Sequence, residues 1–251
     1  MKACSWIEAR RPLTFAATGG PRHLACVTRG FSRRRAYERQ RQAMVDRQIR
    51  RRGVSDERVL RAMSLVPRHA FVPDAQAPAA YADCALPIGF GATISQPYVV
   101  ALMTEALQTG PGLRVLEVGT GSGYQAAVLA ACGSDLFSIE RVPELHARAA
   151  RALSESGFEG VELRLGDGSR GWPEEAPFDR IMVTAAAPEV PAALFEQLAD
   201  GGILLAPVGD EWLQTVRRYR KRGTEMEVED LEGVRFVPLI EDAEVREVPD
   251  D

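Results

Sequence analysis

Cysteine is sparse and unpatterned in this 251-residue chain: Cys4, Cys26, Cys84 and Cys132 show no C-x-x-C spacing. That excludes a disulfide framework and a zinc ribbon, and it fits a reducing, cytoplasmic compartment. Histidine is scarcer still, and His23, His69 and His146 have no ligand spacing, so no metal site is expected. No stretch approaches the roughly 18 consecutive apolar residues that a bilayer span requires, so no membrane partner is expected either. What is present is ordinary for one globular domain with a sizeable core, with 45% hydrophobic and 26% charged residues.

Acid is scarce in the first 43 residues, where ten Lys/Arg face two Glu; the remainder carries 21 basic and 33 acidic residues. That segment also lacks a sustained 3.6 or 2.0 period and contains Gly19-Gly20-Pro21 and Arg33-Arg34-Arg35. It is expected to be a disordered basic leader, followed by a folded body over residues 44–240 and an acidic tail over 241–251. Three readings of the leader stand side by side: an over-extended start ahead of Met44, a disordered basic tail, and a targeting segment. A basic arm can also hold nucleic acid, but the body itself gives no reason to expect a nucleic-acid partner.

The body is dominated by one local pattern. Val115-Leu116-Glu117-Val118 reads as a short buried strand, Gly119-Thr120-Gly121-Ser122-Gly123-Tyr124 as a turn, and Ala126 to Ala131 as a helix. Glycines at 119, 121 and 123 let the backbone turn sharply and approach a ligand closely, with a helix N-terminus beyond, so a nucleotide-like ligand is implied. A dinucleotide fingerprint would need its third glycine at 124, where Tyr124 stands. The observed G-x-G-x-G spacing, with an acid at the end of the next strand, is instead the mark of S-adenosyl-L-methionine enzymes. Asp135 to Ile139 is that strand, and Glu140 can accept from both ribose hydroxyls. A third strand, Val161 to Leu165, runs into Gly166-Asp167-Gly168, where Asp167 can accept from an adenine amino group. Glu117 is read as an anchor for the turn or for the cofactor's amino group.

Strand and helix then alternate through Arg180–Thr184, Val190–Leu198 and Ile203–Pro207. The expected fold is α/β, a doubly wound, mostly parallel, Rossmann-like sheet. Trp212–Tyr219 and Met226–Leu239, joined by a turn at 221–223, are expected to add an antiparallel C-terminal strand pair. Ahead of the sheet, short amphipathic helices are expected over 46–61, broken at Gly53 and capped by Ser55 or Asp56. Pro67, Pro73, Pro78 and Pro87 then punctuate a connection in which an ordered loop, not helix, is expected.

Several separate segments in order resemble the protein-L-isoaspartate (D-aspartate) O-methyltransferase family: 44–49, 66–73, 81–89, Thr93-Ile94-Ser95-Gln96-Pro97, 115–125, 166–168, 183–186 and 234–238. The resemblance covers about residues 44 to 240. It implies a methyltransferase domain that moves the methyl of S-adenosyl-L-methionine onto the free α-carboxylate of isoaspartyl residues in damaged proteins and peptides, initiating repair. It also implies that Ser95 is the catalytic residue, with Thr93, Ile94 and Asp83 on the substrate side. Cofactor binding would fall to Glu117, Gly119, Thr120, Gly121, Ser122, Gly123, Glu140, Asp167 and Gly168. A monomer is expected. Two departures stand out: Ala92 where the family commonly has a polar residue, and the N-terminal extension. A polar residue after Pro207-Val208-Gly209 is also expected to reach the cofactor, with Asp210, Glu211 and Gln214 as candidates.

Read from the residues, Ser95 has two roles open to it: donating a hydrogen bond that aims a carboxylate oxygen at the methyl carbon, or capping a helix that starts at Pro97. Asp83 is similarly divided between a substrate amide and a turn. Two further functions compete, a same-fold carboxyl methyltransferase acting on another carboxylate and a non-catalytic S-adenosylmethionine-binding protein.

Overall fold

A computed structural model describes residues 21–210 and 212–240. The chain divides into two units, 1–36 and 37–251, and every described strand lies in the second. Nine strands are found among the described residues, seven of them in one sheet ordered β5-β4-β3-β6-β7-β8-β9. Its parallel part consists of β3 (Arg114–Val118), β4 (Asp135–Glu140), β5 (Glu162–Leu165), β6 (Phe178–Val183) and β7 (Leu198–Gly209). Two antiparallel strands, β8 (Gln214–Arg222) and β9 (Glu225–Val234), complete it, as the alternating pattern and the closing pair predicted.

Alternation along the central strands sorts the core into two layers. Val115 and Leu136 join one apolar cluster, while Leu116, Val118, Phe137 and Ile139 join the other. Successive side chains of a strand point to opposite faces, so a strand buried on both sides reads as a continuous apolar run. Helices α3 (Pro97–Leu107), α4 (Tyr124–Ala131) and α5 (Pro143–Glu155) contribute Val100, Met103, Leu129, Leu145 and Leu153 to the first cluster. The short α6 (Ala192–Glu196) places Leu194 in the second.

Two expectations change before the sheet is reached. Residues 21–44 form the helix α1, where weak periodicity predicted disorder. Its last turns are rich in helix formers and carry Tyr37, which stacks on His69 at 3.9 Å. Residues 1–20 and the tail 241–251 lie outside the described part. The proline-punctuated connection also holds more structure than a loop: 3₁₀ turns at Arg68–Phe71 and Asp74–Ala79, then an antiparallel hairpin of β1 (Leu86–Gly89) and β2 (Ala92–Ile94). Helix α2 (Glu57–Leu65) starts as expected, with Asp56 as its cap accepting from the Arg58 N–H at 2.7 Å. Ser55 bonds instead to Glu105.

Candidate active site

Strand order reverses at β3, from which the chain winds one way through β4 and β5 and the other through β6 and β7. The carboxyl ends of strands beside such a switch point open into a crevice. Here that crevice is a cavity of about 370 Å³. Its floor is the turn after β3, where Gly119, Gly121 and Gly123 hold φ of +98°, +54° and +84°. At Gly119 a Cβ would lie 2.5 Å from the Thr184 hydroxyl, whereas at Gly121 it would meet nothing closer than Ile88 Cδ1 at 3.7 Å. Gly119 therefore serves close packing and Gly121 leaves backbone open to a ligand.

The turn is fixed from both flanks. From β4, Glu140 accepts the Gly121 N–H on Oε2 at 2.7 Å and the Val142 N–H on Oε1 at 3.0 Å. From the end of β6, the Thr184 hydroxyl lies 3.0 Å from the Val118 carbonyl and 2.6 Å from that of Gly119. Glu140, 6% exposed, borders the cavity beside Thr120, Gly121 and Ser122.

Beneath the turn, register places Glu117 directly across from Ser138 on the same face of the sheet. The Ser138 hydroxyl donates to Glu117 Oε2 at 2.5 Å and lies 2.6 Å from the Thr120 hydroxyl. Glu117 Oε1 has no partner, and the residue is fully buried. Burial, with a smaller push from Glu140, raises its carboxyl to about 8 against the pull of Ser138.

At the end of β5, Asp167 caps the 3₁₀ turn Gly168–Arg170, accepting the Ser169 N–H at 2.9 Å and its hydroxyl at 2.8 Å. Gly168 borders the cavity and Asp167 does not; a Cβ on Gly168 would strike Val118 Cγ1 at 2.5 Å. Gly123, Glu117 and Asp83 also stand behind the lining rather than in it.

The opposite wall is built by β2 and the residue after it, with Thr93, Ile94 and Ser95. Helix α3 does begin at Pro97, but its cap is Gln96, which makes no side-chain capping bond. The Ser95 hydroxyl has no hydrogen-bond partner among the described residues, so the capping role is unfilled and the group is free at the cavity wall. Gln96 reaches Asp83 instead, donating to Oδ1 at 2.8 Å, and Arg52 lies 3.6 Å from Asp83 and over the Tyr98 ring. Asp83 is thus engaged within the protein and braces the loop that carries Ser95.

The residues that finish the enclosure come from the end of the chain. Phe236, Val237 and Pro238 border the cavity, held by the Ala186 N–H to the Val237 carbonyl at 2.8 Å. Gln214, one of the three candidates for a cofactor contact, clamps Phe236 by accepting its N–H at 2.7 Å. Asp210 caps the Trp212 and Leu213 amides; neither residue borders the cavity, and Glu211 lies outside the described part. Segments 183–186 and 234–238 carried the family resemblance, yet nothing local in them marks a wall.

A family model described as protein-L-isoaspartate(D-aspartate) O-methyltransferase (PCMT) matches residues 39–244. The chain belongs to this family. It is 52% identical over 202 residues to a protein-L-isoaspartate O-methyltransferase of Methanoculleus marisnigri, covering 80% of this chain and 92% of that protein. The corresponding protein of Cronobacter sakazakii is 52% identical over 193 residues, covering 77% and 92%. Among solved structures, one protein-L-isoaspartate O-methyltransferase superposes with a TM-score of 0.71 at 30% identity, covering 79% of this chain and 65% of that longer one. A Plasmodium falciparum protein assigned to the same family, in complex with S-adenosyl-L-homocysteine, gives 0.70 at 26% identity over 80% and 99%. Membership in this family fits the fold, a mostly parallel sheet with an antiparallel strand pair at its C-terminal edge. Among the described residues no helix is long and apolar enough to cross a membrane.

Proposed function

We propose that Ser95 orients the free α-carboxylate of an isoaspartyl residue while the glycine turn holds S-adenosyl-L-methionine against the same cavity. The chain is an S-adenosylmethionine-dependent protein-L-isoaspartate O-methyltransferase, and its acceptors are damaged proteins and peptides. The observation that carries the Ser95 assignment is its unbonded hydroxyl on the wall of the cavity whose floor is Gly119–Ser122.

Residue roles follow from the bonds already made. Each Glu140 oxygen accepts one backbone N–H and keeps further lone-pair capacity for the ribose hydroxyls. We assign Glu117, whose Oε1 is unpaired beneath the turn, the role of anchoring the turn or accepting a hydrogen bond from the cofactor's amino group. Asp167 shapes the turn that brings the Gly168 backbone to the cavity, on the adenine side. When bound, the cofactor supplies an electrophilic methyl carbon on a sulfonium. An acceptor carboxylate with a pKa near 4 is already ionised at neutral pH, so no general base is required. The rate then depends on Ser95 donating to one carboxylate oxygen and holding the other in line, while Ile94 and Phe236 exclude water. We place the enzyme in the cytoplasm as a monomer.

The test is methyl transfer to an isoaspartyl peptide and to its matched aspartyl peptide. Transfer to the first alone is expected; equal transfer to both overturns the reading. Ser95→Ala should lower kcat by roughly 10- to 100-fold, the effect of losing one orienting hydrogen bond. Its affinity for S-adenosyl-L-homocysteine, read by calorimetry, should stay within about twofold.

A further inference from the structure

The β1–β2 hairpin closes with Gly89 paired to Ala92, leaving Phe90-Gly91 as a two-residue tip. Both tip residues have positive φ, +54° at Phe90 and +71° at Gly91, the pattern of a type I′ turn. Such turns favour Asn-Gly because Asn and Gly tolerate the left-handed region. Gly91 satisfies the preference and Phe90 opposes it. Its side chain is not buried in return, the residue being 56% exposed. An aromatic residue held in strained backbone and left in solvent is an outlier that asks for a function.

Its position supplies one. Phe90 borders the cavity together with Ile240, itself 52% exposed, and β2 leads from the tip straight to Thr93, Ile94 and Ser95. The base of the hairpin is rigid: Leu86, Ile88 and Ile94 are buried, and Arg148 Nη1 donates to the Ile88 carbonyl at 2.7 Å. The ring is therefore presented at a fixed place at the acceptor mouth. We infer that Phe90 determines specificity by packing against an apolar side chain next to the isoaspartyl residue of the substrate, an inference that rests on the acceptor proposed above. A peptide that delivers its carboxylate to Ser95 must leave its neighbouring residues at this mouth, where a leucine can cover the ring and a glycine cannot.

Three isoaspartyl peptides decide it, identical except for leucine before the isoaspartyl residue, leucine after it, or glycine on both sides. Wild-type kcat/KM should favour at least one leucine peptide over the glycine peptide by about tenfold, the yield of burying one aliphatic side chain on an aromatic ring. Phe90→Asn, which suits the turn, should bring that ratio close to one while its melting temperature stays the same or rises; Phe90→Tyr should keep the ratio. An unchanged ratio in F90N overturns the inference, as does a loss of S-adenosyl-L-homocysteine affinity in F90N, which would put the ring over the donor. Wild-type turnover without a leucine preference sinks this inference alone. No wild-type turnover on any of the three sinks the proposed acceptor as well.

Discussion

Replacing Glu117 by glutamine should make the protein less sensitive to rising pH. Burial lifts the Glu117 carboxyl from its ordinary 4.5 to about 8. In the native state the acid is thus neutral at pH 6, whereas in the unfolded chain it is ionised there. Folding takes up a proton between these two values, so stability falls as pH rises from 4.5 towards 8 and flattens beyond. Glutamine has the same shape and does not titrate. The stability of E117Q relative to wild type should therefore grow by roughly 3 kcal/mol between pH 5 and pH 8, as proton linkage requires for a shift of this size. The offset at pH 5 depends on how the amide meets the Ser138 hydroxyl, but the pH slope does not. Urea unfolding of both proteins at pH 5, 6, 7 and 8 reads the difference directly, with every other titrating group common to both. A difference that stays constant over that range would refute the reasoning and mean that Glu117 is ionised beneath the turn.

Gly119→Ala should cost about 2 kcal/mol or more in unfolding free energy, since the residue is held at φ +98° and its new methyl would sit 2.5 Å from the Thr184 hydroxyl. Pairing it with Thr184→Ala should restore part of the loss, measured by denaturant titration. Asp167→Ala should lower stability by about 1 kcal/mol through loss of the cap on Gly168–Arg170 and weaken S-adenosyl-L-homocysteine binding in calorimetry. Asp167→Asn, which keeps an acceptor for the Ser169 N–H, should melt close to wild type.

The central strands were legible because residues such as Val115, Leu116, Ile139 and Ile181 are buried whichever way they point. Helix α5 was not expected, since among its alanines and arginines only Leu145, Ala149 and Leu153 mark a buried seam. Strand β9 was expected within Met226–Leu239 despite its acids, but its pairing of Arg217 with Asp230, Arg218 with Glu229 and Arg222 with Glu227 rests on partners a sequence window cannot see. The β1–β2 hairpin was hidden by Pro87 and by a turn residue that breaks the usual preference. In the site, the glycine turn and Glu140 were legible from spacing, while Thr184 and Phe236–Pro238 enter through topology alone. Gln214, one of three candidates for a polar contact to the ligand, secures the segment that borders the cavity.

Because the wall at Phe236–Pro238 reaches the crevice by way of strands β8 and β9, whatever loosens that ribbon also opens the nucleoside compartment. Occupancy should travel the other way too. A ligand present at a hundred times its dissociation constant adds about 2.7 kcal/mol to the state that binds it, and part of that gain would be felt at a strand edge far from the glycine turn. Amide protons of β9 should then exchange more slowly once the compartment is filled, making this outer ribbon a remote gauge of how well supplied the enzyme is.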